Sequence, residues 1–256
     1  MFKRVVVVTG ASKGIGIAVV RSLLEEHGAN VVAISRSRTP ELNELAGKHG
    51  TSLFISECDV TDEEGQKSAF SEAIGRFGRI DGLVLNAGTL DPLGRITNSE
   101  IGLDAWERHF DVNFFSLVSA LKVAIPALRD TEGRVIFISS GAATGSTPGW
   151  AAYNAGKAAM NSLARTLAKE ESNVVSLAFA PGKVNTGMQE ALRAKGAGYM
   201  DEVDHKIFRD AFEQGTLVDP NDVGYVIANL SLNAHNTLSG LFVRFNDENC
   251  KDFGRK

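Results

Sequence analysis

Short apolar runs recur along this chain, and between them apolar residues return every three or four positions. The runs cover residues 5–9, 31–35, 52–57, 80–85, 135–139, 174–180 and 241–245. Most are nearly continuous in Val, Ile, Leu, Ala and Phe, the pattern of strands buried on both faces. Helical spacing follows the first run: Ile17, Val20, Leu23 and Leu24 on one side, Arg21, Glu25 and Glu26 on the other, closed by Gly28. Residues 62–77 read as a helix ended by Gly78. Residues 103–128 form a long apolar helix through Trp106, Phe110, Phe114, Phe115, Leu117, Val118, Leu121 and Ile125. Behind the Gly- and Pro-punctuated stretch 145–149, Tyr153, Ala155, Ala158, Ala159, Met160, Leu163 and Leu167 again fall at helical spacing. Residues 188–215 lack a strand and are rich in Gly, Ala and charge, so about 187–216 is expected to be a helical, movable substrate lid. Asp219-Pro220 opens a last helix over 220–232. Strands alternating with helices, with no repeat or linker, predict an α/β fold. The expectation is one doubly wound domain over 1–256, a seven-stranded parallel sheet with helices on both faces.

The first strand ends in Thr9-Gly10-Ala11-Ser12-Lys13-Gly14-Ile15-Gly16 and runs straight into a helix. Strand, glycine turn, helix is the Rossmann-type context of a dinucleotide site. Gly10 permits the tight turn, Gly14 a close approach of backbone to pyrophosphate, and Gly16 the packing of helix on strand. Free N–H groups at the helix start face the phosphates, with Ser12, Lys13 and Ile15 in the loop. At the end of the second strand an NAD site carries Asp or Glu for the ribose 2′-hydroxyl. Here the chain reads Ser35-Arg36-Ser37-Arg38. Arg36 with Lys13 would attract a 2′-phosphate that a carboxylate repels, so NADP(H) is expected over NAD(H). Two solvated surface arginines are the alternative.

Composition narrows the classes of partner. The chain has 256 residues, 43% hydrophobic and 23% charged, with a formal net charge of −4. No basic excess exists to neutralise nucleic-acid or anionic-membrane phosphates. Cys58 and Cys250 are too few for a disulfide framework and fit a reducing compartment. His27, His49, His109, His205 and His235 are scattered and read as solvated or locally bonded rather than as ligands, so no metal is expected. No signal peptide, no C-terminal targeting signal and no run approaching about 18 apolar residues is read, and a cytoplasmic location follows.

Tyr153 and Lys157 are four apart on a helix and project from one face. A phenol ordinarily titrates near pH 10, and an ammonium about 4 Å away favours the phenolate by about 4 kcal/mol at an effective dielectric near 20. That predicts a phenol tuned toward the working pH for general acid–base catalysis. Ser140, just past the fifth strand, supplies a hydroxyl for the oxygen being protonated. Asn113 sits inside the apolar helix, where an Asn side chain competes with the backbone for hydrogen bonds. Taken alone, the Tyr–Lys pair and the Asn would each read as surface residues.

Together these residues are similar to those of the short-chain dehydrogenase/reductase family over nearly the whole chain. The matching segments are residues 9–16, Asp59-Val60, Asn86-Ala87-Gly88, Asn113, Ser140, Tyr153 with Lys157, and Pro181-Gly182. The resemblance implies a catalytic tetrad of Asn113, Ser140, Tyr153 and Lys157. In it the Tyr donates the proton and the Lys lowers its pKa and binds the nicotinamide ribose. The Ser polarises the substrate oxygen, and the Asn holds a relay water. It also implies Asp59 and Val60 at the adenine, and Asn86, Ala87, Gly88, Val184 and Thr186 along the ribose and nicotinamide. A narrower likeness is to sepiapterin-reductase-like proteins and benzil reductases. It is carried by Leu90-Asp91-Pro92, residues 111–118, Gly149-Trp150-Ala151-Ala152-Tyr153 and residues 240–247. It implies reduction of one carbonyl of an α-diketone, and the family resemblance implies a homodimer built on the apolar helix containing Phe114 and Phe115 and the Ala-rich helix after Tyr153. Trp150, Met188 and Tyr199 are the candidates for a substrate wall, with core packing as the alternative. A dehydrogenase of a pteridine, sugar or lipid, or a non-catalytic NADP-binding regulator, are the competing readings of function.

Overall fold

The computed structural model describes residues 3–255; Met1, Phe2 and Lys256, at the ends of the expected domain, lie outside the described residues. The described residues form one seven-stranded parallel sheet. Its strands are β1 (Val5–Thr9), β2 (Asn30–Ser35), β3 (Leu53–Glu57), β4 (Gly82–Leu85), β5 (Arg134–Ile138), β6 (Val175–Ala180) and β7 (Phe242–Arg244). Their spatial order is β3-β2-β1-β4-β5-β6-β7. The order reverses between β1 and β4, and in such open sheets ligands bind at the carboxyl ends beside that switch point.

The helices are α1 (Gly14–Glu25), α2 (Pro40–His49), α3 (Glu63–Phe77), α4 (Leu103–Phe110), α5 (Ser116–Asp130), α6 (Ala151–Glu170), α7 (Gly187–Lys195), α8 (Glu202–Glu213) and α9 (Pro220–Asn233). Successive side chains of a strand point to opposite faces, and the core divides accordingly. Val6, Val8, Val31, Ala33, Val84, Ile136 and Ile138 pack on the side of α1, α2 and α9. Val7, Val32, Ile34, Leu83, Leu85, Val135 and Phe137 pack on the side of α3, α5 and α6. Both faces are covered, which is why these runs carry almost no polar alternation.

Three departures from the sequence reading have physical causes. First, α2 fills a stretch to which the sequence assigned no element. Its signals are a Thr39 side chain that accepts from the Leu42 N–H, Pro40 in the first turn, and buried Leu42 and Leu45. Second, α4 and α5 are joined by a π-helical turn at Asp111–Phe115, which contains Asn113. Third, that junction makes one 28-residue helix, Leu103–Asp130, with an apolar window of mean hydropathy 1.4, long and apolar enough to cross a membrane. Asp111 and Lys122 interrupt its apolar run in the sequence. Its apolarity is accounted for by packing: Leu117, Ala120, Leu121, Ala124, Ile125 and Leu128 are buried in the sheet's second core.

Candidate active site

The carboxyl end of β1 is riveted to that of β4 by side chains that claim backbone groups. Thr9 Oγ1 accepts from the N–H groups of Asn86 (3.0 Å) and Ala87 (3.1 Å). Asn86 Nδ2 donates to the carbonyls of Thr9 (3.0 Å) and Gly10 (3.1 Å). Asn86 therefore shapes the cleft through its side-chain amide. A Cβ on Gly16 would sit 2.1 Å from the Gly10 carbonyl oxygen, and Gly10 has φ +63° with Ala87 Cα 2.9 Å from its would-be Cβ. Backbone fills the space a side chain would need, leaving a smooth cradle. At its mouth the would-be Cβ of Gly14 is 3.4 Å from the Thr186 methyl.

The start of α1 is open in a second sense. Thr39, Asp62 and Asp219 cap α2, α3 and α9 through their side chains. Lys13, at the start of α1, offers no such bond, and the first turn of α1 has no acidic residue. Those N–H groups and the positive helix end remain available to an anion. Lys13 and Arg36 are exposed, Ser12 and Ile15 half-buried. Arg38 pairs with Glu57 at 2.9 Å, while among the described residues Arg36 makes no ion pair. Asp59 and Val60 are half-buried beyond β3. Pro181 and Val184 are buried beyond β6, with Gly182 exposed.

Tyr153, Lys157 and Ser140 lie beside this cradle. Lys157 is buried, and its Nζ donates to the Ile138 carbonyl at 2.7 Å at the end of β5. Nζ is 5.6 Å from the centroid of the Tyr153 ring. A Cβ on Gly88 would meet Asn113 Oδ1 at 2.8 Å and Lys157 Nζ at 3.8 Å, so the end of β4 covers both. Ser139 Oγ donates to Asn161 Oδ1 at 2.6 Å, a buried bond that pins α6 to the strand carrying Ser140. Ser140 Oγ accepts from the Ala142 N–H at 3.1 Å.

The electrostatics differ from the expectation drawn from the Tyr–Lys spacing. Burial, opposed in part by a hydrogen bond with Ser140, pushes the Tyr153 phenol up to about 12. Burial lowers Lys157 to about 8. Desolvation dominates both groups, and the ammonium is directed at a carbonyl. At neutral pH the pair is a phenol and an ammonium.

Asn113 lies in the π-helical turn that faces this pair. Its side chain is fully buried and committed to the loop after β4: Oδ1 accepts from the Thr89 N–H (3.0 Å) and Nδ2 donates to the Thr89 carbonyl (2.9 Å). Those bonds make its amide a clamp on the loop. Of the three candidate wall residues, Trp150 is buried and packs edge-on to Tyr153, with centroids 5.7 Å apart and an interplanar angle of 88°. Met188 and Tyr199 are exposed at 39% and 38%. Trp150 and Tyr153 share an apolar cluster with Leu90, Leu93, Ala142, Leu192, Met200 and Phe208. These come from four separate stretches of chain, so no local spacing announces them. His109, read from sequence as solvated or locally bonded, is buried against Asn113 and Tyr153.

Residues 4–197 match the family model described as short chain dehydrogenase. The chain belongs to the short-chain dehydrogenase/reductase family. An uncharacterized oxidoreductase of Schizosaccharomyces pombe is 40% identical over 244 residues, covering 95% of this chain and 96% of that protein. A benzil reductase ((S)-benzoin forming) of Saccharomyces cerevisiae is 35% identical over 254 residues, covering 96% and 97%. The crystal structure of a short chain dehydrogenase/reductase from Saccharomyces cerevisiae superimposes with a TM-score of 0.94 at 36% identity, covering 98% of this chain and all of that one. The protein is therefore an oxidoreductase acting on CH–OH or carbonyl groups with a nicotinamide dinucleotide.

Proposed function

We propose that this protein is an NADPH-dependent carbonyl reductase that reduces one carbonyl of an apolar α-diketone. The observation that carries the reading is the wall beside Tyr153. Trp150 and Phe208 lie 5.4 Å apart between centroids, in an apolar cluster with Leu90, Ala142, Leu192 and Met200. A sugar would leave its hydroxyls unpaired against such a surface, whereas an aryl or alkyl flank is desolvated favourably by it. The benzil reductase relative is consistent with this substrate class. NADPH over NADH is favoured by exposed Arg36, which has no carboxylate partner among the described residues.

The Gly10–Gly16 cradle and the uncapped start of α1 fit a dinucleotide pyrophosphate. When bound, that cofactor supplies the hydride chemistry. Ser140 hydrogen-bonds the substrate oxygen and fixes its distance from Tyr153. As the oxygen becomes alkoxide-like it is far more basic than a phenolate, so a phenol held near 12 gives up its proton downhill. Lys157, anchored on Ile138, stabilises the phenolate left behind. α7, α8 and the turn between them form the lid over the wall. Phe115, at the end of the π-helical turn before α5, is 57% exposed and belongs to the face of a homodimer. The location is cytoplasmic, in keeping with two free, buried thiols.

Tyr153→Phe keeps the ring and removes the proton. Turnover of benzil, followed as loss of NADPH absorbance, should fall at least a thousandfold while NADPH affinity stays within about threefold. Retained turnover in this variant would refute the proton-donor role.

A further inference from the structure

His109 lies one helical turn before Asn113 and is 1% exposed. Its Nδ1 is 2.6 Å from the carbonyl oxygen of Asp91. Only a ring N–H can satisfy that oxygen, which fixes the proton on Nδ1 and leaves Nε2 bare. The Asn113 amide nitrogen approaches the same ring, 2.8 Å from Nε2 and 3.1 Å from Nδ1. Such nearly equal distances put the amide across the ring rather than in line with one lone pair. Either the Nε2 lone pair or the π-face accepts an N–H only while the imidazole is neutral.

His109 is packed from the other side as well. Its ring is edge-on to Tyr153, 6.3 Å between centroids at 81°. A Cβ on Gly156 would come within 2.9 Å of its Nε2, so α6 lies directly on it between Tyr153 and Lys157. Thr89 and Asp91, the two loop residues it holds directly or through Asn113, follow the Asn86–Gly88 end of β4. The ring thus joins three parts that must stay in register: the loop after β4, the π-helical turn and the catalytic face of α6.

We propose that His109 is a positioning residue: as a neutral imidazole it ties the loop after β4 to the Asn113 amide and so sets the register of both against Tyr153 and Lys157. The inference rests on the proposed catalytic roles of those residues. Protonating the ring would place an N–H against the Asn113 amide N–H. The charged groups acting on it are the Lys157 ammonium from α6, which opposes protonation, and Asp91 from the loop, which favours it. Burial is the larger influence and holds the ring below its ordinary 6.5.

The test compares His109→Leu with His109→Gln, whose amide can still accept from Asn113 but does not titrate. His109→Leu should lower kcat for benzil about tenfold with NADPH affinity unchanged, and His109→Gln should recover most of it. The wild type should lose kcat on the acid side below pH 6.5, and His109→Gln should not. Should the leucine variant fail to fold, nitrogen NMR of ¹⁵N-histidine-labelled wild-type enzyme, with His109→Gln for assignment, reads the tautomer directly; a neutral Nδ1–H ring at pH 7 is expected. Wild-type kcat in His109→Leu, equal loss in both variants, or an Nε2–H ring overturns the inference. If Tyr153→Phe is inactive while any of these holds, only the His109 role fails; if Tyr153→Phe is active, the proposed chemistry itself fails.

Discussion

Replacing Lys157 by Met should make the cofactor-free protein more stable at pH 7 while abolishing turnover. The ammonium is fully buried and its pKa falls from 10.5 to about 8 because burial penalises the charge. A difference of about 2.5 pH units at about 1.4 kcal/mol each makes the charged form cost about 3 kcal/mol relative to the unfolded chain. Methionine has a similar unbranched shape and carries no charge. It forfeits the 2.7 Å bond to the Ile138 carbonyl, worth about 1 kcal/mol. The net gain is about 2 kcal/mol at pH 7, or a rise of about 4–8 °C in melting temperature for a chain of this size. The sign of the pH dependence is fixed by the lowered pKa. The folded state releases the proton near pH 8, the unfolded chain only near 10.5, so wild-type stability rises across that window as the penalty disappears. Tyr153 acts in the opposite sense but above pH 10, where the folded protein holds a proton that the unfolded chain has lost. Melting curves of wild type and Lys157→Met from pH 7 to 10, without dinucleotide, should start several degrees apart and converge. A variant that melts at or below the wild type at pH 7, or a gap that does not narrow, refutes the claim that the site holds a desolvated ammonium at a cost in stability.

Two further outcomes are expected. Arg36→Glu should lower kcat/KM for NADPH by about 10- to 100-fold and leave or improve that for NADH, since a charge-assisted bond to the 2′-phosphate is replaced by repulsion; unchanged selectivity in steady-state kinetics with both cofactors removes Arg36 from the cofactor assignment. Gly16→Ala should abolish dinucleotide binding and lower the melting temperature, because its Cβ would stand 2.1 Å from backbone that cannot retreat, whereas Gly47→Ala in α2, with nothing within 4 Å, should do neither; binding titrations and thermal melts of both variants check this contrast.

What could be read in advance, and what could not, follows from how far apart the participating residues lie in the chain. Strand runs, the glycine turn and the Tyr153–Lys157 spacing are local patterns, and the sheet with both faces covered explains why the apolar runs were legible at all. The element missed, α2, is short and mostly polar, with only Leu42 and Leu45 buried. Its signal was therefore the Thr39-Pro40 start rather than any periodicity. The apolar wall was half-legible for a similar reason. Trp150 adjoins the catalytic helix, but Phe208, Leu192 and Leu93 reach it from segments far away in sequence, where each looks like an ordinary core residue. The exposure of Tyr199 and Met188 was equally illegible, because burial is set by tertiary contacts that no window of sequence contains.

His109 marks the sharpest limit. A single histidine on an apolar helix carries no motif, and its partners, the Asp91 carbonyl and the Asn113 amide, are a backbone group and a side chain already assigned another role. The Tyr153 phenol shows the same limit in energy rather than in position. Spacing established that an ammonium would be its neighbour and so suggested a lowered pKa. The sign depends instead on how completely both groups are withdrawn from water, and the folded chain withdraws them almost entirely. For a reductase that sign is the useful one. In the proposed reduction, a phenol that stays protonated through neutrality would be ready to donate when the substrate oxygen becomes basic. The ammonium that makes this tolerable is the group whose burial lowers the stability of the fold, so removing it should separate stability from catalysis at one side chain.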